Sequence, residues 1–276
     1  MDLQGYLDRI GFLGRPGRDH QTLAGIHRGH VESIPFENID VLLGRTVDFD
    51  LERIYDKIVN RRRGGWCYEM NGLFGWALGE IGFEVTRLAG GVGRAERGDD
   101  AVGNHLLLLV DGEWLSDVGF GDGLYEPVPV ETGEMRQRGF ISRLEIVEDG
   151  WWRYTSHDGM SFDFKLDPAD QGLLQDRCDY LRTSPESGLK MNLVAQILAP
   201  DRCELLRNSI RTTEYPDRVE RSVLADETEL VTVLGTVFGI VDPDVALLWP
   251  EARDLGAAYL ARDRTAEAGV VEATPA

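Results

Sequence analysis

The run Arg63-Gly64-Gly65-Trp66-Cys67-Tyr68-Glu69-Met70-Asn71 decides how this chain is read. A glycine pair releases the backbone into a periodic stretch carrying Met70, Leu73, Phe74, Ala77, Leu78 and Ile81, which predicts a helix starting near Cys67. A helix N-terminus gathers unpaired N–H groups and positive partial charge. A thiolate is favoured there, and the same N–H groups suit the oxyanion of an acyl transfer. Taken alone, the segment fits equally well a buried, inert cysteine that opens a core helix.

Upstream of this run the chain reads as helical. Asp2 can cap a turn that puts Leu3, Tyr6, Leu7 and Ile10 on one face, and residues 20–31 repeat the pattern with Leu23, Ile26 and Val31. Pro35 stops that helix, having no N–H to offer. Asp50 caps Leu51, Ile54, Tyr55, Ile58 and Val59, with Arg61, Arg62 and Arg63 at the end where cations suit the dipole. From about residue 83 short β-branched and aromatic runs alternate with turns: Phe83–Ala89, His105–Val110, Glu113–Val118, Leu144–Val147, Trp151–Ser156 and Ser161–Leu166. Asp111-Gly112, Asp149-Gly150 and Asp158-Gly159 are hairpin signals, so an antiparallel sheet or small barrel is expected. Strands at Leu193–Ile197 and Cys203–Ile210 and helices at Glu227–Phe238 and Val245–Asp254 complete the pattern, before an Ala/Glu-rich stretch from Thr265 that is expected to fray.

Composition narrows the function. The 276 residues carry 29 Lys and Arg against 48 Asp and Glu, a net charge of −19. That balance repels phosphate, so neither nucleic acid nor an anionic membrane is expected as a partner. The longest apolar stretch, about Leu230 to Val241, is too short to span a bilayer, and the acidic start shows no signal-peptide pattern. Three unpaired-looking cysteines, Cys67, Cys178 and Cys203, disfavour a disulfide scaffold and a zinc ribbon and fit a reducing cytoplasm.

Two further segments join Cys67. Gly103-Asn104-His105 opens an otherwise apolar strand, and Ser116-Asp117-Val118-Gly119-Phe120-Gly121 ends the next one. Each alone reads as a structural histidine or a turn. Together they supply what a thiol nucleophile needs: a base for its proton and a carboxylate to orient that base. The assignment carries a geometric condition. A two-residue turn at Asp111-Gly112 would set Leu106 opposite Asp117 and His105 on the other face. A triad therefore requires an odd-length loop or a bulge.

These motifs, with Pro35-Phe36-Glu37-Asn38-Ile39 upstream and Thr183-Ser184-Pro185-Glu186-Ser187 and Val237-Phe238-Gly239-Ile240 downstream, resemble the arylamine N-acetyltransferases in order and spacing over about residues 1–255. The resemblance implies an α+β fold with a papain-like Cys-His-Asp core. Its parts would be a helical bundle (1–83), an antiparallel β-barrel (84–190), an α/β lid (191–264) and a disordered tail (265–276). It implies ping-pong transfer of an acetyl group from acetyl-CoA, through a Cys67 thioester, to an aromatic amine, hydrazine or hydroxylamine. His105 and Asp117 would act as base and orienting acid, Phe36 and Phe120 would line the acceptor pocket, and Glu37 and Arg63 would pair to support the site. Acetyl-CoA would be a co-substrate, with no tightly bound cofactor and no metal. The same family includes amide synthases that form macrolactams from a carrier-bound polyketide thioester. On that alternative an acyl carrier protein is a partner. A papain-type thiol hydrolase is the remaining enzymatic reading. Trp66, Asn104 and the Gly188-Leu189 pair depart from the commoner family residues.

Other signals are discounted. Gly90-Gly91-Val92-Gly93-Arg94 lacks phosphate-loop spacing and reads as a strand end and turn, with an Arg94 phosphate contact as the minor alternative. His27 and His30, three apart on a helix with His20 nearby, lack partners for a metal site and read as an exposed face. Asp48/Asp50 and Asp167/Asp170 fall at turns and caps, and Cys178 and Cys203 at packing positions.

Overall fold

A computed structural model of the chain describes residues 1–45, 49–148 and 150–272. Asp48, Asp149 and the last four residues of the expected tail lie outside the described residues.

The N-terminal helices are α1 (Leu3–Arg9), α2 (His20–Ser33), α3 (Ile39–Leu42), α4 (Leu51–Tyr55) and α5 (Cys67–Ile81), with a two-residue strand β1 (Phe36–Glu37) between α2 and α3. Asp2, Asp19 and Asp50 accept backbone N–H bonds as caps of α1, α2 and α4. Tyr6, Ile26, Leu73 and Phe74 anchor the core they share.

The central layer is a near-closed antiparallel barrel of eight strands: β2 (Val85–Val92), β3 (His105–Val110), β4 (Trp114–Ser116), β5 (Val128–Pro129), β6 (Gly133–Gln137), β7 (Phe140–Glu148), β8 (Trp151–Thr155) and β9 (Ser161–Phe164), in the order β5-β4-β3-β2-β9-β8-β7-β6. A one-turn helix α6 (Arg94–Arg97) follows β2. Strand β3 reads as unbroken apolar residues because both its faces are covered. Leu108 and Val110 pack with Phe74 of α5, whereas Leu107 and Leu109 pack with Phe162 and Phe164 inside the barrel.

After α7 (Gln171–Thr183) and α8 (Gly188–Met191) comes a second antiparallel sheet, β10 (Val194–Leu198), β11 (Cys203–Arg207), β12 (Ile210–Tyr215) and β13 (Arg218–Val223). Its far edge is β1, so an N-terminal segment completes the C-terminal sheet. The expected strand Cys203–Ile210 is instead a hairpin, because Asn208 at φ +57 turns the chain and Arg207 pairs with Ile210. Helices α9 (Glu227–Thr236) and α10 (Trp249–Glu272) flank this sheet, and Leu206, Leu234, Phe238 and Trp249 share its core. Among the described residues no helix is long and apolar enough to cross a membrane.

Candidate active site

Cys67 is the first residue of α5, and Trp66 precedes it in extended conformation. The Trp66 N–H donates to the Glu69 carboxylate at 3.2 Å, which fixes the helix entry. The glycine pair has a packing reason. A Cβ on Gly64 would stand 2.1 Å from the Pro35 carbonyl oxygen, and one on Gly65 would stand 2.9 Å from Glu69 Cβ. The chain therefore enters the helix pressed against the segment that leads into β1.

His105 and Asp117 meet through loop length. Val110 pairs with Trp114, so the β3–β4 loop has three residues, Asp111, Gly112 and Glu113. Continuing the register sets Asp117 opposite Leu107, on the same face as His105. The odd-length loop that the sequence required is thus present. His105 Nε2 lies 2.6 Å from Asp117 Oδ2, and the Cys67 thiol stands near enough to act on the same imidazole. His105, Asp117 and Cys67 are all buried. Burial by itself pulls the imidazole down, but the Asp117 carboxylate and Cys67 outweigh it and lift His105 to about 10. Asp117 is held below the ordinary carboxylate range despite its burial, by His105, Asn71 and the Gly119 N–H.

Sequence reasoning missed several supporting groups. Asn71, one helical turn after Cys67, donates to Leu106 O at 2.7 Å and Asp117 Oδ1 at 2.8 Å and accepts from the Val118 N–H at 3.0 Å. The Cys67/Asn71 spacing of four was the available signal. Gly119 lets the loop after Asp117 cross the helix start, since a Cβ there would stand 2.6 Å from Cys67 Cα. His27 and His30 correct the exposed-face expectation, for both are fully buried. Their face of α2 packs on Phe74, at ring distances of 5.5 Å and 5.7 Å. His27 Nε2 accepts the Asp117 backbone N–H at 3.3 Å, and its Nδ1 donates to Tyr125 O at 3.1 Å.

Phe120 stands 5.4 Å from the His105 ring, and Phe162, unassigned from sequence, stands 5.0 Å from it. Phe36 is half-buried and packs with the cluster that holds Cys67. Glu37 and Arg63 pair at 2.8 Å within a larger buried charge network. Arg63 also reaches Asp242 at 2.7 Å, and Lys57 reaches Glu69 at 2.8 Å and Asp40 at 3.3 Å. Burial opposes the charge on Lys57, yet Glu37, Glu69 and Asp40 together raise its pKa.

The departures noted in the sequence have local structural roles. Trp66 is buried with its ring 5.1 Å from Tyr68, and Tyr68 donates to Gly103 O at 2.5 Å, just ahead of His105. The Asn104 amide pairs with both backbone groups of Val92, at 2.8 Å and 3.0 Å. The Leu189 carbonyl accepts from Asn38 at 2.7 Å. Arg94 is occupied by Asp99, Glu148 and Asp163 and lies over the Trp151 ring. Burial pushes the Cys178 thiol up to about 12, and it raises Cys203 as well, which keeps both protonated.

The family model described as N-acetyltransferase matches residues 19–244. An arylamine N-acetyltransferase of Mycolicibacterium smegmatis is 50% identical over 147 residues, a stretch that spans 50% of this chain and 53% of that protein. Arylamine N-acetyltransferase 2 of Mesocricetus auratus is 31% identical over 87% of this chain and 94% of its own length. The solved structure of Mycobacterium marinum arylamine N-acetyltransferase in complex with CoA aligns with a TM-score of 0.80 at 33% identity, covering 90% of this chain and 94% of that one.

Proposed function

The chain belongs to the arylamine N-acetyltransferase family, and from that premise we propose that its acetyl-CoA-dependent N-acetyl transfer runs through a papain-like Cys67–His105–Asp117 triad. The observation that carries the assignment is the buried His105 imidazole paired with the Asp117 carboxylate at 2.6 Å, with Cys67 acting on the same ring.

In this reading the Cys67 thiolate attacks the acetyl carbonyl of acetyl-CoA. A carbon–sulfur bond forms to Cys67, the bond to the CoA sulfur breaks, and His105 gives its proton to the departing CoA thiolate. An aromatic amine then attacks the acyl-enzyme. The new carbon–nitrogen bond displaces Cys67, and His105 takes the amine proton, which regenerates the ion pair. N–H groups in the first turn of α5 stabilise the oxyanion of each step. Asp117 orients the ring, and Asn71 and Gly119 hold Asp117. Phe36 and Phe120 form the flat apolar wall of the acceptor pocket, where stacking and burial supply the binding energy. Glu37 and Arg63 tie β1 to the catalytic segment. The C-terminal sheet, continuous with β1, forms the lid.

Intact-mass measurement after mixing with acetyl-CoA tests the assignment. One acetyl group per chain is expected on Cys67, discharged by an aromatic amine, and Cys67→Ala is expected to show no adduct. Full turnover in Cys67→Ala would overturn the mechanism.

A further inference from the structure

A second polar cluster lies at the junction of the barrel and the C-terminal sheet. Asp122 follows Phe120 in the loop that begins at Asp117, His157 sits on the turn between β8 and β9, and Glu214 is on β12. One donor atom from each lies within 4.8 Å of the other two. His157 Nε2 is 3.2 Å from Asp122 Oδ2 and 3.5 Å from Glu214 Oε1. In a tetrahedral site with bonds of about 2.0–2.1 Å, neighbouring donor atoms stand roughly 3.3 Å apart.

Direct pairing does not account for this arrangement. His157 Nε2 is buried close to two carboxylate oxygens yet has no hydrogen-bond partner among the described residues, so its lone pair or N–H is aimed at neither oxygen. Asp122, only 8% exposed, has a second oxygen, Oδ1, that is also without a hydrogen bond. The nearest cation to that oxygen, Arg138 Nη2, stands 4.0 Å away. Arg138 Nη1 is already committed to the carbonyls of Ala199 and Arg202, at 2.8 Å and 2.9 Å, and its guanidinium lies over the Tyr125 and Phe140 rings, while its Nε is buried without a hydrogen bond. Unsatisfied buried polar atoms are costly, and a bound ion beside them is one way to satisfy them.

The donors are also held in place. Asp158 accepts from the Ser156 hydroxyl and from the Met160 N–H, which braces the turn carrying His157. The His157 ring packs 4.3 Å from the Phe140 ring. Glu214 is fixed in the ladder opposite Cys203 and Val219.

We infer that Asp122, His157 and Glu214 form a divalent transition-metal site of the zinc class, joining the barrel, the Phe120 loop and the C-terminal sheet. One imidazole with two carboxylates suits Zn2+ better than the all-oxygen preference of Ca2+ or Mg2+. Solvent would complete the coordination shell. The bound ion would clamp three segments that are far apart in sequence, and its role would be structural.

The test uses full-length protein carrying Cys67→Ser, so that the reactive thiol does not bind the probe. The protein is dialysed against Zn2+ with a competing chelator, and zinc per chain is measured by elemental analysis beside thermal melting. About one equivalent is expected to be retained, with a raised melting temperature. Glu214→Gln, at a half-exposed position, is expected to weaken retention tenfold or more, and His157→Gln to abolish it. Mg2+ at the same concentration is expected not to be retained. No zinc retention in the Cys67→Ser chain would overturn the site. So would equal retention in His157→Gln or Glu214→Gln with unchanged circular dichroism. Equal retention of Mg2+ would overturn the imidazole's part.

Discussion

Two regions bury an imidazole against Asp117, and they bring it to opposite states. At the mouth of β3, His105 faces the Asp117 carboxylate and is lifted to about 10. On α2, His27 faces the backbone N–H of the same residue, and burial drives it down to about 4, with the Tyr125 carbonyl and Asp117 only partly offsetting that. Both rings are essentially excluded from solvent. Burial therefore does not set the protonation state of an imidazole. A carboxylate needs a cation beside it, whereas an amide N–H needs a lone pair, and the partner decides which form is kept. One ring is poised for proton transfer, and the other is a neutral strut.

The largest expected effect comes from removing the difference at its source. Asp117→Asn takes away the charge while keeping the volume. The His105 titration followed by NMR is expected to fall from about 10 toward or below its ordinary value. The rate of Cys67 acetylation by rapid quench is expected to drop roughly a thousandfold or more, as when a triad loses its orienting acid. A His105 titration left near its present value would break the comparison.

The next effect is on stability against pH. His27 binds a proton less readily folded than unfolded, so its contribution is present above its ordinary value of 6.5 and is lost as pH falls toward about 4. That shift corresponds to about 3 kcal/mol. His105 has the opposite sign. Its contribution is present below 6.5 and is lost as pH rises through about 10. Denaturant melts between pH 4 and 7 are expected to show the acid limb, and His27→Gln, which keeps an acceptor for the Asp117 N–H, is expected to flatten it. An unchanged acid slope in that variant would remove His27 as the titrating group.

The smallest effect concerns the neighbour of His27. His30 Nδ1 pairs with the Tyr6 hydroxyl at 2.8 Å, and burial keeps the imidazole neutral. Tyr6→Phe should cost about 1 kcal/mol in the urea midpoint, the usual worth of one buried neutral hydrogen bond, with acetyl transfer unchanged. A loss of catalytic rate would mean that this strut reaches the triad.

Legibility in the sequence followed how local the cause was. Caps at Asp2 and Asp50 and the start of α5 at Cys67 could be read because each depends on a few adjacent residues. Strand β13 was missed because all six of its residues are exposed and carry no burial pattern. Strand β1 is two residues long and forms because β10 and Gly65, both distant in sequence, lie beside it. His27 and His30 were misread because polar residues on a helix resemble an exposed face until the neighbouring element is known.

By itself the sequence determined the succession of N-terminal helices, barrel strands and C-terminal mixed elements, the nucleophile at the start of a helix, and the residue types a triad requires. These follow from periodicity, capping and covalent chemistry within a few residues. Only the tertiary structure decided that a third loop residue, Glu113, turns His105 and Asp117 to one face, that Asn71 and His27 converge on that carboxylate, and that Asp122, His157 and Glu214 meet. The reason is physical. Strand parity, burial and electrostatic partnership depend on which distant segments pack together, and no local window of residues encodes that.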